Sequence, residues 1–202
     1  MSYSRRELNK KKSRKSILRA SRKLFSAQGY DETMIEEIAL KAEVSKATVY
    51  NYFPNKESLL TGIVDEVLDR VEELLDSDFV ECTDSLQRLR RVLEEFVLAS
   101  ADYPILSRRI AWLNSDENSP LFGTRQETNE ILKNLVLASQ EEGLLRPDAK
   151  ADDMVDALMG IYLIALFQWE DFGKNNIQAL KDKLKRLFDA TMSFYLSDPQ
   201  ED

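Results

Sequence analysis

The sequence predicts an all-α fold, and three observations carry that expectation. Glycine and proline number only six and five in 202 residues, too few for the turns of a β architecture. Apolar residues recur at three- and four-residue steps along most of the chain, the period of a helix with one buried face. Cap-forming residues sit before several of these runs, and glycine or proline follows them. An apolar content of 43% is enough to build a core, and the length suits one large domain or two small ones.

About nine helices follow in order. Residues 1–12 carry Arg5, Arg6, Lys10, Lys11 and Lys12 with little to bury, and are expected to form a flexible basic arm. A first helix starts at Ser13, presents Ile17, Ala20, Leu24 and Phe25 on one face, and stops at Gly29. Thr33 and Glu36 have the spacing of a capping box, opening a second helix with Ile35, Ile38, Ala39 and Ala42 inward. Ser45 caps a third, short helix with Val49 and Phe53 inward, and Pro54 ends it. Two short helices joined by a tight turn make a helix-turn-helix. Asn55 caps a fourth helix bearing Leu59, Leu60, Ile63, Val67, Leu68, Val71 and Leu74. Further helices are expected over about 84–102, 105–114, 121–142, 151–171 and 177–196. The expected organisation is an arm (1–12), a helix-turn-helix head (13–54) and a helical body (55–202).

The net charge of −8 hides a division. Residues 1–60 hold thirteen Lys or Arg against seven Asp or Glu, whereas residues 61–202 hold fifteen against twenty-nine. A basic head on an acidic body points to a polyanion approached by the head alone. There is no histidine, which removes the commonest general base, the usual zinc ligands and the Ser-His and Cys-His nucleophile pairs. Cys82 is the only cysteine, so neither an intrachain disulfide nor a thiolate cluster is expected. With no Gly-rich phosphate loop either, no catalytic residue, metal or cofactor is expected. The longest apolar stretch, 157–167, is too short to cross a bilayer, and a cytoplasmic protein without a membrane partner is expected.

The third helix exposes Lys46, Thr48, Tyr50, Asn51 and Tyr52 within two turns, more polar and aromatic groups than a core-packing helix needs. A major groove accepts one α-helix. Lysine can bind guanine O6 and N7, asparagine can pair with adenine, and a threonine methyl can touch that of thymine. The stretch Ser45-Lys46-Ala47-Thr48-Val49-Tyr50-Asn51-Tyr52-Phe53-Pro54-Asn55-Lys56, with Leu24, Phe25, Gly29, Tyr30, Thr33, Ile38 and Ala39 upstream, resembles the DNA-binding head of TetR-family transcriptional regulators. The motif resemblance covers about residues 13–62; beyond that it rests on length and helix pattern. It implies that Lys46, Thr48, Tyr50 and Asn51 face bases or the nearby backbone, while Thr33, Tyr52 and Lys56 hold phosphates of double-stranded operator DNA. Thr33, Ser45 and Asn55 also read as simple caps, and Tyr52 as packing on the first helix. Glu43 stands at a turn position that is often glycine in the family, and Ala47 where a small residue is common. Glu36 can accept from cytosine N4 or complete the capping box, and the box is the favoured reading.

In the last helix Ile177, Leu180, Leu184, Leu187, Thr191 and Phe194 make a seam that wants another helix. The preceding helix is apolar nearly all round, so it faces its own core and something else besides. With the resemblance, these imply a homodimer through Leu158, Tyr162, Leu180, Leu184, Leu187 and Phe194. The resemblance also implies an unidentified small-molecule ligand in the body. Phe96, Tyr103, Arg109, Trp112, Asn114, Phe122, Tyr162 and Trp169 are its candidate contacts, since pockets combine aromatic walls with a few polar groups. For each of these, ordinary core or surface packing is the favoured reading over ligand contact. The function expected is a repressor released from an inverted-repeat operator by its ligand, with an activator or architectural protein as the alternative.

Overall fold

Good helix formers carry the first helix well upstream of Ser13. A computed structural model describes residues 5–76, 82–168 and 177–197, and in it α1 runs Arg5–Gln28. Residues 5–12 are therefore helical rather than a flexible arm. Arginine, glutamate, leucine and lysine dominate this stretch, and Glu7 precedes Lys11 by one turn, the favourable order. Gly29 ends α1 at φ +95°, its N–H donating to the Phe25 carbonyl at 3.1 Å, the left-handed stop expected of it.

The second helix, α2 (Ile35–Lys41), is capped differently from the box expected at Thr33 and Glu36. Met34 is the N-cap, and its N–H donates to the Glu37 carboxylate at 2.8 Å. The Thr33 hydroxyl turns back to the Gly29 carbonyl at 2.7 Å and is 2% exposed. One residue of offset thus hands the capping role from Glu36 to Glu37. Next comes α3 (Lys46–Tyr52), with Ser45 accepting from the Thr48 N–H at 3.0 Å. Then α4 (Lys56–Asp76) opens on Asn55, whose side-chain carbonyl accepts from the Ser58 N–H at 2.8 Å. The remaining helices are α5 (Ser85–Ala101), α6 (Pro104–Leu113), α7 (Phe122–Glu141), α8 (Ala151–Gln168) and α9 (Ile177–Met192). Proline opens α6 at its first turn, where its missing N–H costs nothing. No strand occurs among the described residues, only an isolated antiparallel bridge between Leu145 and Leu196.

The chain packs as two units, Met1–Glu66 with Tyr103–Phe122, and Val67–Asp102 with Gly123–Asp202. In the first, Ile17, Leu18, Phe25, Ile38, Val49, Phe53, Leu59 and Leu60 form a core that Leu106 of α6 and Leu121 join. Hence α6 packs with the helix-turn-helix, although a linear cut after residue 54 assigns it to the body. In the second unit α9 lies on α5 and α8, and Leu180, Leu184, Phe188 and Met192 are buried. Leu89, Val92, Leu93, Leu132, Val136, Met154 and Leu158 complete that core.

Candidate nucleic-acid interface

Burial of Val49 and Phe53, 0% and 3% exposed, fixes which way α3 faces. With these two anchored in the core, Lys46, Ala47, Tyr50 and Asn51 are exposed, and Thr48 and Tyr52 are half-buried. The Ser45 hydroxyl both caps the helix and shares a hydrogen bond with the Thr48 hydroxyl at 2.7 Å. The turn between α2 and α3 is closed by the Val44 N–H donating to the Ala39 carbonyl at 3.0 Å. Glu43 adopts φ +57° there, the left-handed region that explains why glycine suits this place.

Charges on this face are paired. The Lys46 ammonium donates to the Glu36 carboxylate, bridging α3 to α2, and sits 5.8 Å from the Tyr50 ring centre. That hydrogen bond holds the Glu36 carboxyl below the usual carboxylate range and the Lys46 ammonium above the usual lysine range. Lys56 donates to the Asp31 carbonyl at 3.0 Å and lies 4.6 Å from the Tyr30 ring centre. Arg109 of α6 meets the same turn, 3.6 Å from the Asp31 carboxylate and 6.0 Å from the Tyr30 ring. Burial, with Glu57 next in effect, pushes the Tyr30 phenol well up. Thr33 is a correction: its hydroxyl proton goes to Gly29 and its side chain is covered, so it braces the turn instead of offering a donor to phosphate.

The structure therefore gathers Ser45, Lys46, Thr48, Tyr50, Asn51 and Tyr52 on one short helix, and sets Lys56 at the neighbouring turn. Sequence reasoning missed the partners. Glu36 pairs with Lys46 across the turn, which no residue spacing within a single helix reveals. An open groove of about 330 Å³ adjoins this unit's α3 and α4, lined by Arg14, Tyr52, Phe53, Glu57, Gly62 and Asp65 among others.

The expected ligand contacts mostly lie elsewhere. Tyr103, Arg109, Trp112, Asn114 and Phe122 fall in the first unit. Tyr103 stacks with Arg22 at 5.6 Å, Trp112 is 70% exposed, and Asn114 caps α6. Phe96 is a buried core residue, and Trp169 lies outside the described residues. Among the described residues Tyr162 lines a small cavity, of about 10 Å³, with Val97, Ser100, Ala165, Leu166 and Leu180. Its hydroxyl shares a hydrogen bond with that of Ser100 at 2.9 Å, and burial pushes its phenol up.

Of the expected dimer contacts, Leu158, Leu180 and Leu184 are 0–3% exposed within their own chain, and so are not available to a second one. Leu187 is half-buried, and Phe194 is 71% exposed. The uncovered apolar residues of α8 are instead Leu163, Ile164 and Phe167.

A capped short helix that is anchored by two core residues and presents lysine, tyrosine and asparagine outward, behind a crossing helix, defines a helix-turn-helix DNA-binding head. Residues 17–63 match the family model of bacterial regulatory proteins of the tetR family. The HTH-type transcriptional regulator HbdR of Aromatoleum sp. (strain CIB) is 30% identical over 138 residues, 66% of this chain. The chain spans 60% of that relative's length. Two solved structures share the fold. The fatty acid degradation regulator FadR from Bacillus halodurans gives a TM-score of 0.71 at 20% identity, over 88% of this chain and 97% of that one. AibR, solved in complex with isovaleryl coenzyme A and operator DNA, gives 0.62 at 21% identity, over 87% and 98%. Residues 17–63 thus carry the N-terminal domain of the tetR family of bacterial regulatory proteins, and the chain is similar to HTH-type transcriptional regulators.

Proposed function

We propose that this protein is a cytoplasmic, ligand-responsive repressor that binds an inverted-repeat operator as a homodimer. The observation that carries the reading is α3 itself, whose exposed face of Lys46, Tyr50 and Asn51 is held by the buried Val49 and Phe53. Those residue types match base edges in the major groove, and the basic residues of α1 supply charge for the phosphates. Residues 13–54 act as the reading head, and the helical remainder senses and dimerises. Leu163, Ile164 and Phe167 on α8, 38–50% exposed, support a symmetric contact, because such residues cluster at interfaces.

The cavity beside Tyr162 is the sensor site of this proposal. At about 10 Å³ it has room for no more than about one water, so the helices around it must part to admit a ligand. That AibR is solved with an acyl coenzyme A and operator DNA supports ligand response in a protein of this fold. No helix among the described residues is long and apolar enough to cross a membrane.

The test is to select bound fragments from the source genome with the purified protein, then titrate them by fluorescence anisotropy. Enrichment of a palindromic site, with two chains per duplex by sedimentation, is expected. A protein that binds all duplexes alike would overturn the reading. Any compound that lowers operator affinity should itself bind more weakly in the presence of operator, by the same factor.

A further inference from the structure

We propose that Glu36 and Lys46 act as one unit that reads a single G·C pair, which makes Glu36 of α2 a specificity residue beside the recognition helix. This rests on the DNA-binding function proposed above.

The pair is formed before any DNA arrives, and it is open to solvent. The side chains of Lys46 and Glu36 are 51% and 55% exposed, so neither ion has used up its hydrogen-bonding capacity on the other. An ammonium has three N–H donors and a carboxylate two acceptor oxygens. After the bond between them Lys46 keeps two donors, and Glu36, whose carboxylate also accepts from its own backbone N–H, keeps acceptor sites among its roughly four lone pairs.

The major-groove edge of a G·C pair presents guanine N7 and O6 as acceptors and cytosine N4–H as a donor. O6 and N4 are hydrogen-bonded to each other and stand about 2.9 Å apart. A hydrogen-bonded ammonium and carboxylate have nearly that spacing. Laid on the edge, Lys46 donates to O6 and N7 while Glu36 accepts from N4–H, and their mutual bond persists. An A·T pair also sets a donor, N6–H, beside an acceptor, O4. It offers the ammonium one acceptor there instead of two, with the thymine methyl crowding beside it.

Two alternative roles for Glu36 are weaker. The fold does not need it as a cap, since the Glu37 carboxylate already takes the Met34 N–H at 2.8 Å, and an exposed ion pair adds little stability. Nor does the pair serve phosphate binding. A carboxylate on Lys46 repels the backbone, and a net-neutral unit releases no counterion. Base reading is the role left that uses both charges.

The experiment selects from a pool of random duplexes with the wild-type chain, Glu36→Ala, Lys46→Ala and the double variant, each checked for unchanged thermal unfolding. Wild type is expected to enrich a symmetric motif with one G·C position per half-site that responds to these residues. At that position each single variant should lose about ten-fold of the preference for G·C over A·T, and the double variant should lose no more, because the two residues act together. Replacing that guanine by 7-deazaguanine should weaken wild type but not Lys46→Ala. If Glu36→Ala keeps the wild-type motif, or binds every duplex more tightly with base preference intact, Glu36 merely screens Lys46 and the inference is overturned. If wild type enriches no motif at all, the DNA-binding function has failed before any variant is compared, and the pair reading falls with it.

Discussion

Replacing Gly62 by alanine tests how closely α4 must approach the recognition helix. A Cβ built on Gly62 would stand 2.8 Å from Phe53 Cε1, 3.0 Å from Leu18 Cδ2 and 3.5 Å from an Arg14 guanidinium nitrogen. Carbon atoms in contact prefer about 3.5–4.0 Å, so the Phe53 ring or α4 has to move by about half an ångström or more. Leu18 and Phe53 are 0% and 3% exposed, so a shift of either works against its packing, although Phe53 also borders the groove beside α3 and α4. Overpacking of this kind costs about 1–3 kcal/mol. Against it stands the better helix propensity of alanine, worth up to about 1 kcal/mol. The net expectation is a loss of about 1–2 kcal/mol in the head, which lowers its Tm by several degrees. Because Phe53 anchors the end of α3, operator binding should weaken as well, in excess of what the unfolded fraction explains. Differential scanning calorimetry and anisotropy titration at a temperature where both proteins are folded separate the two effects. A variant that melts at or above the wild-type temperature would refute the packing argument, and unchanged affinity in a destabilised variant would refute the link to α3.

Glu43→Gly should raise stability by about 0.5 kcal/mol, measured by urea denaturation, because relief of the left-handed conformation at φ +57° outweighs the added chain entropy of glycine. Tyr30→Phe should flatten the alkaline limb of the stability curve. The folded phenol is held above its unfolded value of 10.0, chiefly by burial, so the unfolded state ionises first, and wild-type stability is full below about pH 10 and falls above it. In the helical body, Leu184→Glu should unfold the protein, since Leu184 is 3% exposed within its own chain and an unpaired charge there is strongly destabilising. Ile164→Glu, at a residue 44% exposed, should instead yield a folded monomer by sedimentation.

What was legible in the sequence is what local chemistry decides. Gly29, Ser45, Asn55, Pro54 and Pro104 each act where their backbone preferences put them, and the inward residues Val49 and Phe53 follow from helical period alone. Predicted ends erred where two caps compete within a residue of each other. Thr33 with Glu36 and Met34 with Glu37 differ by one step, and the outcome turned on whether the Thr33 hydroxyl reached forward or back to Gly29. The helical start at Arg5 was missed for another reason: a polar segment with nothing to bury suggests disorder, but helix propensity and one-turn charge pairs act without burial.

Partners across the fold were not legible, because a pattern along one helix names a face and never the surface that covers it. The leucine seam of α9 shows this most plainly. Leu180 and Leu184 do require another helix, and the requirement is met by α5 and α8 of the same chain. Contacts of the proposed dimer must then come from residues that are apolar and still uncovered once the chain's own core is complete. On α8 those are Leu163, Ile164 and Phe167, interleaved with the buried Ile161, Ala165 and Leu166. The same reasoning explains Arg109, an attractive ligand contact in a list of polar residues near aromatics. Its guanidinium sits at the Asp31 turn beside Tyr30 and Lys56, so within its unit α6 braces the turn from which α2 and its Glu36 begin.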